Sequence, residues 1–238
     1  MPAERYFYPN NLIEKEVISL EDSEFHHLAH VMRAKEGGLV ELVNGTGYLA
    51  KARIEAIKKK SAELVIQSVI HEPCPLFNSI LAQAIPRGNR LDTILEKSTE
   101  LGVSEIWLFP GKHSERKEIS ENQLEKITQT LIVAMKQCGR LYLPSIVVKS
   151  KLARWEPLAY PAYFGDVEPS APLFLQVLQK EDNKQGIIFF IGPESGFNDD
   201  ETARLKDLGA KGVKLNNNIL RTDTAAIAAV ALISHLYN

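Results

Sequence analysis

Ile187-Ile188-Phe189-Phe190-Ile191-Gly192-Pro193-Glu194-Ser195-Gly196-Phe197 is the stretch that decides the fold. An apolar run long enough for a buried strand breaks into a Gly-Pro-Glu-Ser-Gly turn, and a helical pattern follows from Asp199. Open α/β sheets place ligands at such glycine-bearing strand ends. A second break lies downstream, where Val213-Lys214-Leu215 runs into Asn216-Asn217-Asn218 and then Ile219-Leu220-Arg221-Thr222. Two strand-end loops in one half of the chain suggest one site built from both.

Around this stretch the sequence alternates. Residues 79–85, 103–109, 146–148, 162–164 and 187–191 read as strands. Helices are expected over 91–101 (ending at Gly102), from the Ser120-x-x-Gln123 capping box to Cys138, over 199–208 and over 222–236. That order predicts a mostly parallel sheet covered by helices. Upstream, residues 5–8, 17–20, 39–43, 48–57 and 62–70 read as short strands. Asn44-Gly45 favours a tight turn, and Asp22 can cap a helix carrying Phe25, Leu28, Ala29 and Met32 on one face. Several strands around one helix suggest a small barrel. The prolines at 73 and 75 bar regular structure, so the boundary falls there, with one domain over 1–72 and another over 76–238.

The composition excludes several classes. With 45% hydrophobic residues among 238, a real core can form. Net charge is -2; through Glu72 there are 9 Lys/Arg against 11 Asp/Glu, leaving 19 against 19. Any nucleic-acid surface must therefore be a local patch. The two cysteines, Cys74 and Cys138, form no metal or redox spacing and read as reduced thiols of a cytoplasmic protein. The first residues lack a signal-peptide pattern, and no apolar run approaches the ~20 residues of a membrane helix. GxGxxG after the first strand of the second domain, GxxxxGK[ST] and GxSxG are all missing, which argues against P-loop and serine-hydrolase chemistry. His26 and His30 are spaced i, i+4 without a third ligand, so no metal is expected. The cluster His26, His27, His30, Arg33 and Lys35 reads either as a solvated face or as a phosphate-contacting patch.

The remaining possibility is a loop site that works through backbone groups. Gly192 and Gly196 permit close approach of a ligand, and Leu215, Ile219 and Leu220 can wall an apolar slot for a flat ring. Five ordered motifs then give a resemblance that spans nearly the whole chain. They are Lys97-Ser98-Thr99-Glu100-Leu101-Gly102-Val103, Ser114-Glu115-Arg116, Gln137-Cys138-Gly139-Arg140, Ile191-Gly192-Pro193-Glu194 with Gly196, and Ile219-Leu220-Arg221-Thr222 with Thr224-Ala225. Together with His26-His27-Leu28 and Val31-Met32-Arg33, the chain resembles the bacterial small-subunit (16S) ribosomal RNA uridine-N3 methyltransferases of the SPOUT (trefoil-knot) superfamily.

The resemblance implies a PUA-like β-barrel RNA-binding domain followed by an α/β domain with a carboxy-terminal knot, otherwise a rare topology. It implies a cytoplasmic homodimer acting on 16S rRNA of the small ribosomal subunit, at N3 of uracil-1498, with S-adenosylmethionine as cofactor. Carried over by position, the cofactor contacts are Phe164, Gly165, Ile191, Gly192, Glu194, Gly196, Leu215, Asn216, Ile219, Leu220 and Thr224. Arg221 is the catalytic candidate, as a cation that stabilises charge developing on a uracil oxygen. A guanidinium cannot be the base; Asp223, Glu194 or water are left as proton acceptors. His27, Arg33, Arg87, Arg90, Arg116 and Arg140 are the candidate RNA contacts. The chain departs from the family pattern at Ser195 (usually Gly), Asn216 (Gly), Asn218 (Arg), Asp223 (Glu) and Lys136 (often Glu). A serine at positive φ would be strained. The sequence leaves open a non-catalytic RNA-binding assembly factor of the same fold, and a SPOUT enzyme for another RNA position.

Overall fold

The computed structural model describes residues 4–114, 117–181 and 185–237. The chain divides into two compact units, Met1–Cys74 with Ile132–Leu143, and Pro75–Leu131 with Pro144–Asn238. The first unit ends beside the expected proline boundary, yet it also claims a segment from far along the chain.

In the first unit, β1 (Arg5–Phe7), β2 (Val17–Leu20), β3 (Leu39–Val43), β4 (Tyr48–Ile57) and β5 (Ala62–His71) form a five-stranded sheet in the order β1-β3-β4-β5-β2. Only the β1–β3 pair is parallel. Ala50, Ala52 and Ile54 of β4 are buried while Lys51 and Arg53 between them are exposed, the period-two pattern of a sheet with one dry face. Two register shifts in the β4–β5 pair, at Lys51/Ala52 and Ile54/Ala56, bend the ribbon around its core. Asn44 makes the β3–β4 turn: its Oδ1 accepts the N–H groups of Thr46 and Tyr48 at 3.0 and 3.3 Å.

The helical segment between β2 and β3 differs from expectation in two ways. α1 (Asp22–His26) opens from Glu21, whose carbonyl accepts the Phe25 N–H at 3.0 Å. Asp22 is therefore not the cap; it lies in the first turn with φ 50°. Beyond His26 the winding widens to a π-helical turn over His27–Val31. Wider winding rotates later side chains off the 3.6-residue face. Phe25 and Leu28 are buried as expected, whereas Ala29 is half-buried and Met32 is exposed.

The returning segment supplies the rest of this unit's packing. α3 (Glu121–Cys138) contributes Met135, which clusters with Leu141 and Val43 and is flanked by Phe7, Leu49 and Leu143. Lys136, a departure from the family pattern, pairs with Glu24 of α1 at 2.5 Å. Glu24 also accepts the Phe7 N–H at 3.0 Å, so one carboxylate ties α1, β1 and α3. Both ionic side chains are mostly buried, which raises the cost of leaving one unpaired. Lys136→Glu should lower unfolding stability by about 2 kcal/mol, with Glu24→Gln restoring part of it. Urea midpoints of the two single variants and the double variant measure this; a midpoint unchanged in Lys136→Glu would show that the pair contributes nothing.

The second unit is an all-parallel sheet of six strands, β6 (Asn78–Ala84), β7 (Glu105–Phe109), β8 (Ser145–Val148), β9 (Ala162–Gly165), β10 (Gly186–Ile191) and β11 (Lys211–Val213). Their order is β11-β9-β10-β6-β7-β8. The chain runs outward from β6 to β8, then crosses to β9, returns inward to β10, and crosses over β9 to reach β11. Every residue of β10 is buried, as the apolar opening stretch requires of a strand covered on both faces. One face packs Phe109, Trp155, Phe164 and Phe190 in a single cluster with Leu205. On this sheet α6 (Thr222–Tyr237) lies against β6, β10 and α2 (Arg90–Glu100). Of the shorter helices, α4 (Phe174–Leu178) buries Phe174 and Leu178, and α5 (Asp199–Asp207) buries Leu205. Among the described residues no helix is long and apolar enough to cross a membrane.

Candidate active site

The carboxyl ends of β9, β10 and β11 open into one cavity of about 710 Å³. Three loops form it: residues 165–168 after β9, 192–197 after β10, and 214–220 after β11. Because the three strands are parallel and adjacent, their exit loops must share an edge, and the crossover of β10 to β11 makes that edge a switch point.

Each loop is held from within. After β9, Asp166 donates its N–H to Val213 O at 2.9 Å and accepts the Glu168 N–H at 3.0 Å. Lys214 exchanges backbone bonds with Pro172 and Phe174, at 2.8 Å each, and its Nζ donates to Pro169 O at 2.9 Å. In the last loop, Asn216 Oδ1 accepts the Asn218 N–H at 3.0 Å. Neither Asn216 nor Ser195 has a positive φ, so the departures at these positions strain nothing. Gly196 does, at 74°. Gly192 is required for a different reason. A Cβ there would sit 3.1 Å from Gly196 C and Phe197 N, because the loop folds back onto its own start.

Glu194 braces this turn. Its Oε1 accepts the Arg87 N–H at 2.9 Å and lies 3.6 Å from Arg90 Nε. Arg90 also faces Asp223 of α6 at 3.8 Å. The loop after β7 joins the same edge: Gly111 is in contact range of Pro193, and the Lys112 N–H donates to Glu201 Oε1 at 2.8 Å. Glu201 closes the capping box of α5 with Asn198, so the helix starts at Asp199 where the sequence pattern put it.

Of the expected cofactor residues, Phe164, Gly165, Ile191, Gly192, Glu194 and Gly196 line the cavity, as do Leu215, Asn216, Ile219 and Leu220. Thr224 does not; it is exposed on α6. Two helical residues turn a side chain through about 200°, so Thr222 and Ala225 face the cavity and Thr224 points elsewhere. Arg221 immediately precedes α6, between the lining residues Leu220 and Thr222, with an exposed side chain that is not part of the cavity wall. Sequence reasoning missed Thr202 and Lys206 of α5, which also line it. It missed Gln83 as well, a fully buried amide among Leu81, Ala82 and Ala84 of β6. Buried polar side chains need partners, so an amide inside an apolar run was the available signal.

The candidate RNA contacts are dispersed. Arg87 and Arg90 stand beside the cavity loops, where Arg90 faces two carboxylates as well as solvent. His27, Arg33 and Arg140 belong to the first unit. His27 is half-buried with its ring 5.6 Å from that of Tyr6, and Arg33 is exposed at φ 51°. Burial pushes the Arg140 guanidinium below its ordinary value. Arg116 lies outside the described residues.

Residues 72–234 match the family model of the RNA methyltransferase domain. The chain belongs to that family. Residues 20–67 of this RNA methyltransferase also match the RNA methyltransferase PUA domain. The chain is 26% identical over 238 residues to a ribosomal RNA small subunit methyltransferase E of Buchnera aphidicola, covering 98% of this chain and 93% of the relative. The ribosomal RNA small subunit methyltransferase E of Neisseria gonorrhoeae, solved bound to S-adenosyl methionine, superposes with a TM-score of 0.85 at 27% identity, over 99% and 98% of the two chains. A Legionella pneumophila protein solved with bound SAM gives 0.88 at 26% identity, over 99% and 98%. The RNA methyltransferase thus has the SPOUT trefoil-knot α/β architecture with an amino-terminal PUA-like β-barrel.

Proposed function

We propose that the protein is an S-adenosylmethionine-dependent methyltransferase of 16S rRNA in the small ribosomal subunit, with N3 of uracil-1498 as its target. The observation that carries this reading is the three-loop cavity at the carboxyl ends of β9, β10 and β11. Its volume suits a nucleoside-sized ligand. Its lining is apolar at Phe164, Leu215 and Leu220, and at Gly192 a Cβ would press on the loop backbone at 3.1 Å. Those residues fit the cofactor: the apolar walls would hold the adenine ring, and loop amides and carbonyls would hold its polar edges. When bound, the cofactor supplies an electrophilic methyl group on a sulfonium.

The protein's own residues do the rest. Arg221, beside the cavity at the amino end of α6, faces charge that develops on the uracil as N3 loses its proton. The helix N-terminus adds partial positive charge on the same side. Glu194 Oε1 accepts the Arg87 N–H and faces Arg90, which supports a bracing role for this carboxylate. We assign it to positioning and leave uptake to Asp223 or water. His27, Arg33, Arg87, Arg90, Arg116 and Arg140 are proposed to contact phosphates. A cytoplasmic location is proposed as well, and a homodimer, the latter supported by α6, where Ile227, Leu232 and Leu236 are only half-buried or exposed.

The test is labelled-methyl incorporation into small ribosomal subunits from a strain lacking the gene, followed by nucleoside analysis. 3-Methyluridine at one position is the expected product. Label in another nucleoside would reassign the target, and no label would leave an RNA-binding factor.

A further inference from the structure

We propose that Gln83 and Thr222 are positioning residues, forming a hydrogen-bonded relay that fixes the amino end of α6, and Arg221 with it, against the loop at Gly192. The proposal rests on the methyltransferase reading for its catalytic consequence alone; the relay itself is a feature of the protein without ligand.

Gln83 is completely buried in β6, where it stands in register with Ile191 of β10 on one side and Leu108 of β7 on the other. Its Nε2 donates to Ala84 O at 2.8 Å and to Thr222 Oγ1 at 3.1 Å. Thr222 is the first residue of α6 and is itself buried. Its hydroxyl donates to Gly192 O at 2.8 Å. A hydroxyl has one hydrogen. With the Gln83 amide donating into its oxygen, that hydrogen is directed to Gly192. One chain of bonds therefore joins the ends of β6 and β10 to the start of α6. Two of the joined residues, Gly192 and Thr222, line the cavity, and Arg221 is covalently next to Thr222.

The stability of the fold does not explain this amide. Gln83 Oε1 is buried and has no hydrogen-bond partner. An unsatisfied buried acceptor is destabilising, and an apolar side chain of the same shape avoids that penalty. A buried amide with one acceptor left unpaired, yet tied to the cavity rim through its donors, fits a functional constraint. The second tie on α6, from Asp223 to Arg90, is long at 3.8 Å and half-open to solvent, so the relay is the firmer of the two.

The experiment compares full-length Gln83→Met, Thr222→Val and Thr222→Ser with wild type. Four quantities are read: thermal midpoint, amide hydrogen exchange, S-adenosylmethionine affinity by calorimetry, and single-turnover methylation at saturating cofactor. Gln83→Met should keep or raise the midpoint. Exchange over residues 192–197 and 222–226 should nevertheless quicken about fivefold to tenfold in Gln83→Met and Thr222→Val, the loss of one net hydrogen bond. The saturated rate should fall about tenfold or more in both, with a smaller change in cofactor affinity, and Thr222→Ser should recover most of it. Unchanged exchange in both segments would overturn the relay. So would a midpoint that falls in Gln83→Met in step with the rate, because the network would then be structural. If wild type itself transfers no methyl group, the methyltransferase reading fails, and exchange still decides the relay.

Discussion

Gly192→Val is expected to weaken cofactor binding by up to about 10²-fold while leaving the chain folded. The added side chain would begin 3.1 Å from backbone atoms of Gly196 and Phe197, and backbone cannot rotate away as a side chain can. Overpacking of this kind costs about 1–3 kcal/mol, and it falls on the loop that forms the cavity wall. Three kcal/mol in binding is a factor of about 10², so calorimetric titration of S-adenosylmethionine should show affinity reduced by up to about that factor. Gly196→Val makes the contrast. Nothing lies within 4 Å of a Cβ at Gly196, whose constraint is its φ of 74°. Its effect should be smaller, about tenfold. Wild-type affinity in Gly192→Val would place the cofactor elsewhere.

Arg221→Ala should lower single-turnover methylation of small ribosomal subunits by about 10²–10³, the usual loss on removing one preorganised donor. Its exposed side chain stands outside the cavity wall, so cofactor affinity should change little. That separation distinguishes charge stabilisation from loop anchoring. Arg221→Lys keeps the charge without the planar fork and should recover the rate only in part. Weakened cofactor binding with a near-normal saturated rate would end the catalytic assignment.

The sequence was most legible where one residue type admits one physical explanation. An all-apolar strand ending at Gly192 could only be buried, and β10 is buried at every position. Ten of the eleven residues assigned to the cofactor line one cavity, because strand-end loops of adjacent parallel strands must converge. Thr224 lies outside that cavity because its assignment followed a motif rather than the angle between successive helical residues. The cap at Asp22 failed for a similar reason: a capping residue type identifies a helix start only if its backbone is extended, and Asp22 has φ 50°. Arg90 was read as a cation for phosphate, since sequence shows charges without their neighbours. In the fold it also answers Glu194 and Asp223. Least legible was the Gln83–Thr222–Gly192 chain, whose members lie 139 and 30 residues apart.

The first unit's claim on Ile132–Leu143 bears on how the protein is made. A chain leaves the ribosome from its amino end, and segments begin to fold as soon as their partners have emerged. The sheet of β1–β5 is complete by His71, but Met135, Leu141 and Leu143, which pack against Val43, Phe7 and Leu49, are translated some seventy residues later. At roughly 5–20 residues per second, that apolar patch waits several seconds in the open. Glu24 waits as long for Lys136. The nascent amino-terminal half is thus a natural client for a chaperone, and a fragment cut at the proline linker would keep that exposed state permanently.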